Sequence, residues 1–492
     1  MGSWQTAVQL EGGEGPVYRR IAAAILADIE RGRLRAGDRL PSSRALALQL
    51  GVNRNTAIKA YDDLRAAGWI AGRQAKGMFV AAPSDRSPPT PARLVLRGRA
   101  GQVASGRTVG FDLPPGGDLD LPAARAPGLL VLLGGVPDLR FLPHVELSRA
   151  YRHALRSSGA PRLTDYADPR GDERLRAALG ELLVRRRGIP AGKDNLCVVR
   201  GGQNAIYLAA RALLRPGDAV AVEELGYQPA FAALRLAGAD LCPVPVDEGG
   251  LDVGALEALC ARRRLRAVYL TPHHQCPTTV TLAGDRRSRL LALAARLRLI
   301  VLEDDYDFDF HYDGRPVLPL AASDTAGVVV YLGTLSKSLA PGLRLGYVAA
   351  PAEVIRRIAS YRLCVDRQGD HVLERAVATL LEDGVIQHHA RRALRLYRSR
   401  RDLLCDLLRR RLPSLSFTPP TGGMAVWARA PGVDVDAWAR RARAAGVAFQ
   451  PASLFTFDGR PRDFVRIGFA ACDAAQLSEA TRRLAVTLFE SV

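Results

Sequence analysis

Lysine is almost missing from this 492-residue chain: of 69 basic residues only four, Lys59, Lys76, Lys193 and Lys337, are lysine. Positive charge is written as arginine nearly everywhere. Each lysine therefore stands out as an amine that can do chemistry closed to an always-protonated guanidinium. No apolar run approaches the roughly 18–20 residues of a membrane helix. The opening MGSWQTAVQLEGGEG has no basic segment followed by an apolar stretch, so neither a membrane span nor a secretory signal is expected. The seven cysteines (Cys197, Cys242, Cys260, Cys276, Cys364, Cys405, Cys472) are scattered, odd in number and without paired metal spacing. That pattern fits reduced packing thiols in a cytoplasmic protein better than a disulfide framework or a zinc ribbon. With 48% hydrophobic residues the chain is not largely disordered, and its length calls for two or three domains. No internal repeat stands out.

What is abundant is positive charge: a formal +19, with a pI near 10.2. A nucleic-acid partner fits this, but so does an arginine-rich proteome, so motifs must decide. Near the N-terminus, Ile21, Ile25, Leu26 and Ile29 recur at helical spacing, and Gly32 and Gly37 mark the exit. In LPSSRALALQLGV, Ser42 is placed to cap a short helix carrying Leu46 and Leu50 and ending at Gly51. Asn53 can cap a second helix, RNTAIKAYDDLRAAG, with Ile58, Tyr61 and Leu64 expected on one face and Gly68 as the stop. WIAGRQAKGMFV then reads as two short strands around a turn, which is a wing.

Helix, turn, helix and basic wing form a groove-reading geometry. Arg54, Asn55, Thr56 and Lys59 lie near the start of the second helix, where base edges and phosphates would be. Ser42, Ser43 and Arg44 stand at a helix N-terminus, which favours a phosphate. In the wing, beside Gly77, Arg73 and Lys76 are placed to reach the backbone or the minor groove. Residues 1–80 hold twelve basic against seven acidic residues, which is consistent with this but not diagnostic. A small helical protein-binding module has the same outline. The residues themselves add a likeness: LPSSR, GVNRNT, AYDDL and KGMFV together resemble the DNA-binding domain of GntR-type regulators over residues 17–80. That implies a double-stranded DNA operator as partner. Met78 stands where that family usually has threonine, so no phosphate contact is expected from it.

From about 83 to 130 proline, glycine, arginine and serine dominate, as in APSDRSPPTPARL and DLPPGGDLDLP, and this is read as a linker. Residues 1–82 are then one domain. From 131 onward apolar strand-like runs (LCVVRGG, DAVAVEE, LRAVYLTP, LRLIVLEDDY, GVVVYLGT) alternate with helical segments. This is the α/β alternation of a mostly parallel sheet covered by helices, expected over 131–370. A smaller α+β domain is expected over 371–492.

Four features of that region converge on one site. In TLSKSLAPGLRLGY, Lys337 follows a strand and is flanked by small hydroxyl residues, and such a lysine can form an imine with an aldehyde cofactor. Thr334, Ser336 and Arg344 are placed to bind a phosphate. In LRLIVLEDDYDF a strand ends in Glu303, Asp304 and Asp305, at the edge where open α/β sheets bind ligands. A carboxylate there can pair with a pyridine nitrogen, and Tyr306 can donate to the ring's phenolic oxygen. A metal site at Asp304, Asp305, Asp307 and Asp309 is not expected, because no histidine or cysteine is spaced to join them. In VVRGGQNAIYLAARALL the backbone N–H groups of Gly202 and Gln203 open a helix and can hold a phosphate. In VEELGYQPAF, Tyr227 lies just past a strand end, either to stack on a ring or to pack as a core or lid residue.

Together these resemble the fold-type I aminotransferases, which bind pyridoxal 5′-phosphate (PLP). With the winged helix in front, the chain resembles the MocR subfamily of GntR regulators over residues 17–81 and about 131–480. The resemblance implies Lys337 as the Schiff-base lysine, Asp304 as the pyridinium partner, and Tyr306 and Tyr227 against the ring. It also implies that Arg466, in FVRIGFA, binds the α-carboxylate of a ligand. Tyr166, in YADPRGDERLR, would reach the phosphate of the neighbouring subunit in a head-to-tail homodimer. The chain departs from the enzymes where they carry N-P-x-G: here Cys276 precedes Pro277, Gln275 is the candidate substitute for the asparagine, and Thr279 replaces the glycine. Leu225 also replaces a usual proline. These departures bear on transamination more than on cofactor binding.

The expected function is a PLP-dependent transcriptional regulator that responds to PLP itself, or to an amine or amino acid, through Schiff-base exchange at Lys337. An active aminotransferase with an appended DNA-binding domain is the alternative, and the GntR-like head is what a metabolic enzyme does not need.

Overall fold

The computed structural model describes residues 16–73, 77–81, 111–112, 128–157, 159–314 and 317–489. They belong to two compact units, one within Met1–Pro115 and the other within Gly116–Val492. Most of the expected linker, and the wing tip with Lys76, lie outside the described residues.

In the first unit α1 (Val17–Glu30) buries Ile21, Ile25, Leu26 and Ile29 as the spacing predicts. Helix α2 (Ser43–Leu50) starts where the Ser42 hydroxyl accepts the Ala45 N–H at 3.1 Å and ends at the left-handed Gly51. Helix α3 (Arg54–Ala66) is capped by Asn53, whose side chain accepts the Asn55 N–H at 2.9 Å. The buried face of α3 is Ala57, Ala60, Tyr61 and Leu64. Ile58 was expected on that face and is instead 36% exposed, because the i, i+3, i+4, i+7 stripe runs through alanines that permit close packing against α1. The Tyr61 hydroxyl donates to the Pro41 carbonyl at 2.8 Å, tying α3 to the turn before α2. Strands β1 (Ile70–Arg73) and β2 (Gly77–Val80) pair antiparallel as the wing, and Arg39 adds a bridge to Phe79. Fully buried Ile21, Ile25, Leu46 and Leu64 centre this core, each stabilising it by about 1.5–3 kcal/mol.

The second unit opens with β3 (Leu130–Val131). Its frame is a seven-stranded sheet made of β4 (Leu196–Val199), β5 (Ala219–Glu223), β6 (Asp240–Val244), β7 (Leu265–Leu270), β8 (Ile300–Asp305), β9 (Val329–Thr334) and β10 (Gly346–Ala349). The strand order is β4-β10-β9-β8-β7-β5-β6, with only β10 running antiparallel to its neighbours. Helices cover both faces, so β5 and β9 are buried at every position. Helix α4 (Gly201–Leu213) follows β4 directly, and its Ala205, Ile206, Leu208 and Ala209 pack on one face of the sheet.

A smaller sheet of β11 (Ala425–Arg429), β14 (Phe464–Gly468) and β13 (Gln450–Pro451) lies under the long α5 (Val385–Arg411). The strand β12 (Val447–Ala448) pairs in parallel with β3. Both expected boundaries of the large domain therefore move. Leu132 belongs to the small-domain core, so that domain also draws on residues near 130. The helix His371–Glu382, expected in the small domain, packs Ala376, Val377 and Leu380 on the large one. The hand-over falls inside α5, where Ile386 joins one core and Tyr397 the other. Among the described residues no helix is long and apolar enough to cross a membrane.

Candidate cofactor pocket and DNA-binding face

The carboxyl ends of the parallel strands, with the loops that leave them, surround a cavity of about 220 Å³. Ten expected residues line it: Lys337, Asp304, Tyr306, Tyr227, Gly202, Gln203, Thr334, Ser336, Arg344 and Arg466. This is the edge at which open α/β sheets bind their ligands.

Lys337 sits just past β9. Burial and the nearby Arg466 guanidinium hold its amine below the ordinary lysine range, because both penalise the ammonium form. Of the three acids ending β8 only Asp304 faces the cavity. Burial pushes it up to about 6, against the pull of the Tyr269 hydroxyl, which donates to it at 2.7 Å. Glu303 points away and accepts the N–H groups of Leu320 and Ala321 at 2.7 and 2.9 Å. Asp305 accepts the Tyr331 hydroxyl at 2.6 Å. The Tyr306 hydroxyl donates to the His274 carbonyl at 2.8 Å, so its proton is committed to the protein and not to the cavity, contrary to expectation.

Gly202 and Gln203 form the first turn of α4, and the Gln203 amide donates to the Pro229 carbonyl at 2.5 Å. Thr334 and Ser336 are buried, and the Thr334 hydroxyl accepts the Ser336 N–H at 3.1 Å. Arg344 adopts a left-handed backbone (φ 51°) and donates to the Arg200 carbonyl at 3.0 Å. A Cβ on Gly201 would stand 2.9 Å from that guanidinium. Tyr227 is 38% exposed at the pocket mouth, and burial of its hydroxyl pushes it up to about 12. Arg466 is 4% exposed, makes no ion pair among the described residues, and keeps a buried Nε without a partner.

The acidic run does not lack histidines. The adjacent His273 and His274 and, on a second loop, His311 meet beside Asp307, and burial drives His273 down to about 2. The expectation of no metal rested on sequence spacing, which cannot see two loops brought together.

On the first unit Ser42, Arg44, Arg54, Asn55, Lys59 and Gly77 are exposed, while Ser43 and Thr56 are half-buried. Arg44 and Arg54 make no ion pair among the described residues, and Lys59 stands 5.9 Å from the Tyr18 ring centre. The backbone of Arg73 is in β1 as expected.

Residues 137–484 match the family model for aminotransferases of class I and II, and residues 17–80 that of bacterial regulatory proteins of the gntR family. The HTH-type transcriptional regulator TauR of Rhodobacter capsulatus is 34% identical over 97% of this chain and 97% of its own. The probable rhizopine catabolism regulatory protein MocR of Rhizobium meliloti is 32% identical over 95% of this chain and 93% of its own. This chain belongs to the MocR-type GntR regulators. Its second unit is also similar to a solved enzyme, LysN, an α-aminoadipate aminotransferase of Thermus thermophilus complexed with N-(5′-phosphopyridoxyl)-L-leucine. The two share 30% identity and a TM-score of 0.69 over 74% of this chain and 92% of that one.

Pyridoxal 5′-phosphate is the cofactor of this MocR-type regulator, and its pocket fits the group. It offers an amine, a buried carboxylate, a tyrosine at its mouth, a helix N-terminus, the hydroxyls of Thr334 and Ser336, and an arginine without an ion pair among the described residues. Glycine clears space for it: a Cβ on Gly135 (φ 77°) would stand 3.3 Å from the Lys337 Nζ, and one on Gly134 would strike Arg466 at 2.6 Å. Neither glycine was anticipated, although VLLGGVPD carries the paired-glycine signal.

The regulator departs from expectation at Gln275. Its amide donates to the Leu225 and Cys276 carbonyls at 2.6 and 2.7 Å and accepts the Thr278 hydroxyl at 2.7 Å. It is consumed in holding the turn, and Cys276 lines the pocket instead. Thr279 takes the left-handed backbone (φ 65°) that a glycine would adopt more easily. Thr271 was missed. It lines the pocket, held by Glu223, which accepts its N–H at 3.1 Å and its hydroxyl at 2.9 Å. Tyr166 lies outside the pocket, 74% exposed, with the Arg367 guanidinium 4.0 Å over its ring.

Proposed function

We propose that this regulator reads the state of its PLP pocket and adjusts its hold on an operator. The observation that carries the reading is one chain holding both a cavity-facing, half-buried Lys337 of depressed basicity and a DNA-binding head whose Arg44 and Arg54 are exposed and make no ion pair among the described residues. Bound PLP supplies an aldehyde that can pass between the Lys337 amine and the amine of an effector. Asp304 faces the position of a ring nitrogen, and Tyr269 fixes its orientation. Gly202, Gln203, Thr334, Ser336 and Arg344 hold a phosphate, with the N-terminus of α4 contributing its dipole. Tyr227 covers the pocket mouth. Arg466, buried and without an ion pair among the described residues, favours an effector with a carboxylate or sulfonate.

On the DNA side, Arg54, Asn55, Thr56 and Lys59 of α3 face the groove. Ser42, Ser43 and Arg44 take a phosphate at the start of α2, and the wing adds Arg73, Lys76 and Gly77. Tyr166, exposed on a single chain, serves the pocket of a second copy in a head-to-tail dimer. The effector is PLP itself or an amino compound, and its capture shifts the equilibrium between states with different operator affinity.

Likeness to aminotransferases favours one further reading, residual turnover. The regulator as a catalyst lacks the side chain that Gln275 was expected to supply, so slow half-reactions rather than steady turnover are expected. Gel shifts on the DNA upstream of the protein's own gene, with and without PLP and a panel of amines and amino acids, test the main reading. Steady turnover of an amino donor and a keto acid at ordinary enzyme rates, with no effect on DNA binding, would favour the enzyme.

A further inference from the structure

The cofactor pocket leaves one group of buried side chains without a task. His273 and His274 follow β7, and His311 lies just past β8. One ring nitrogen from each falls within 4.8 Å of the others. The ring centres of His273 and His274 are 4.4 Å apart, those of His274 and His311 5.8 Å, and those of His273 and His311 6.0 Å. Three imidazoles holding one tetrahedral ion through bonds of about 2.0–2.1 Å place their ring centres roughly 5 Å apart.

The polar atoms are unsatisfied in a way that points at a ligand. His273 is 3% exposed and His274 1%. Both ring nitrogens of His273, Nε2 of His274 and Nδ1 of His311 are buried without a hydrogen-bond partner among the described residues. Native interiors rarely leave several polar atoms unpaired side by side. The tautomer of His274 is set by its neighbour: Nδ1 lies 2.8 Å from Oδ1 of Asp307. In the tautomer whose Nδ1–H donates to that carboxylate, Nε2 carries a lone pair. This carboxylate–imidazole arrangement is the outer support of metal-bound histidines. The second oxygen of Asp307 is also buried and unpartnered, a negative charge that offsets an incoming cation. Glycine at 422 keeps the space beside His274 Nε2 clear, since a Cβ there would collide with it.

We propose that His273, His274 and His311 bind one zinc ion per chain, with Asp307 orienting His274. Three neutral imidazoles and no thiolate form a donor set for a borderline divalent ion, and zinc tolerates the remaining position as water or the free Asp307 oxygen. The site is distinct from the cofactor pocket but shares its loops. The segment with His273 and His274 continues into Cys276, and Tyr306 lies between β8 and Asp307, its hydroxyl on the His274 carbonyl. His311 in turn bridges to Gly422 of the small domain. The ion would pin these three segments together.

The test uses the full-length, PLP-loaded protein, stripped with a chelator and titrated with zinc against a competing chelator. Metal content is counted per chain, and X-ray absorption at the zinc edge reads the ligands. The expected result is one zinc per chain, bound by imidazole nitrogen at about 2.0 Å without sulfur. His311→Ala, at the half-exposed member, should weaken zinc more than about 100-fold, beyond the loss for an outer partner. Unchanged cofactor absorption shows that this variant is folded. Asp307→Asn should weaken zinc about 10–100-fold. Sub-stoichiometric zinc, sulfur ligation, or an affinity unchanged in both His311→Ala and His273→Ala would overturn the proposal.

Discussion

Replacing Arg466 with methionine removes a buried cation that faces the pocket and has no ion pair among the described residues. The guanidinium is 4% exposed, its Nε is unpaired, and the Phe455 ring lies 5.7 Å away. A ligand carboxylate docked there would gain one or two charge-assisted hydrogen bonds, each worth about 1.5–3 kcal/mol. Taking about 2–4 kcal/mol in all, loss of Arg466 should weaken an amino-acid effector roughly 30–1,000-fold. The amine made by removing that effector's acid group makes no such contact, and its affinity should change less than about threefold. Calorimetric titration of wild type and Arg466→Met with both ligands gives the four affinities needed. Equal losses for acid and amine would mean general pocket damage, and no loss for either would refute the assigned role. The same variant carries a pH signature. Arg466 disfavours the Lys337 ammonium, so its removal raises the Lys337 pKa. Less neutral amine is then present at a given pH, and the midpoint for PLP capture should move to higher pH. A midpoint that stays or falls would contradict the coupling.

Lys337→Ala should abolish the visible absorption of bound PLP while leaving the far-ultraviolet circular dichroism unchanged; a retained band would mean that another amine holds the cofactor. Gly135→Ala places a Cβ 3.3 Å from the Lys337 Nζ at a backbone φ of 77°. The strain is about 1–2 kcal/mol, and PLP occupancy measured by absorbance should fall. Arg54→Ala should weaken operator binding and lower the slope of log affinity against log salt by about 0.9, read by gel shift at several salt concentrations. Ser42→Ala loses the hydrogen bond to the Ala45 N–H and should cost the DNA-binding unit about 1 kcal/mol, read as a lower midpoint in denaturant.

Sequence pattern reached far into this fold where the signal is local. The caps Ser42 and Asn53, the stop at Gly51 and the strand leading to Asp304 each rest on a few adjacent residues whose chemistry dictates the backbone. What it missed depends on packing between distant segments. Ile58 looks like a core residue until alanines at 57 and 60 are seen to face α1. Glu303, Asp304 and Asp305 are indistinguishable in sequence, and only the hydrogen bonds to Ala321, Tyr269 and Tyr331 assign each a direction. Gln275 is held by the carbonyls of Leu225, on a loop fifty residues away, and of Cys276 in its own turn. The domain boundaries slipped for the same reason, since Leu130 pairs with a strand more than 300 residues later. The histidine cluster joins positions 273, 274 and 311, a spacing that fits no linear metal motif.

The proposed regulation requires that the chemical state of the PLP pocket be felt by the DNA-binding head. The most direct measurement is operator affinity by fluorescence anisotropy, recorded in the same cuvette as the cofactor's visible absorption while PLP and then an amino compound are added. Affinity should change in step with the absorption, and Lys337→Ala should uncouple the two. Operator affinity that stays constant while the absorption shows the cofactor being captured and released would contradict it.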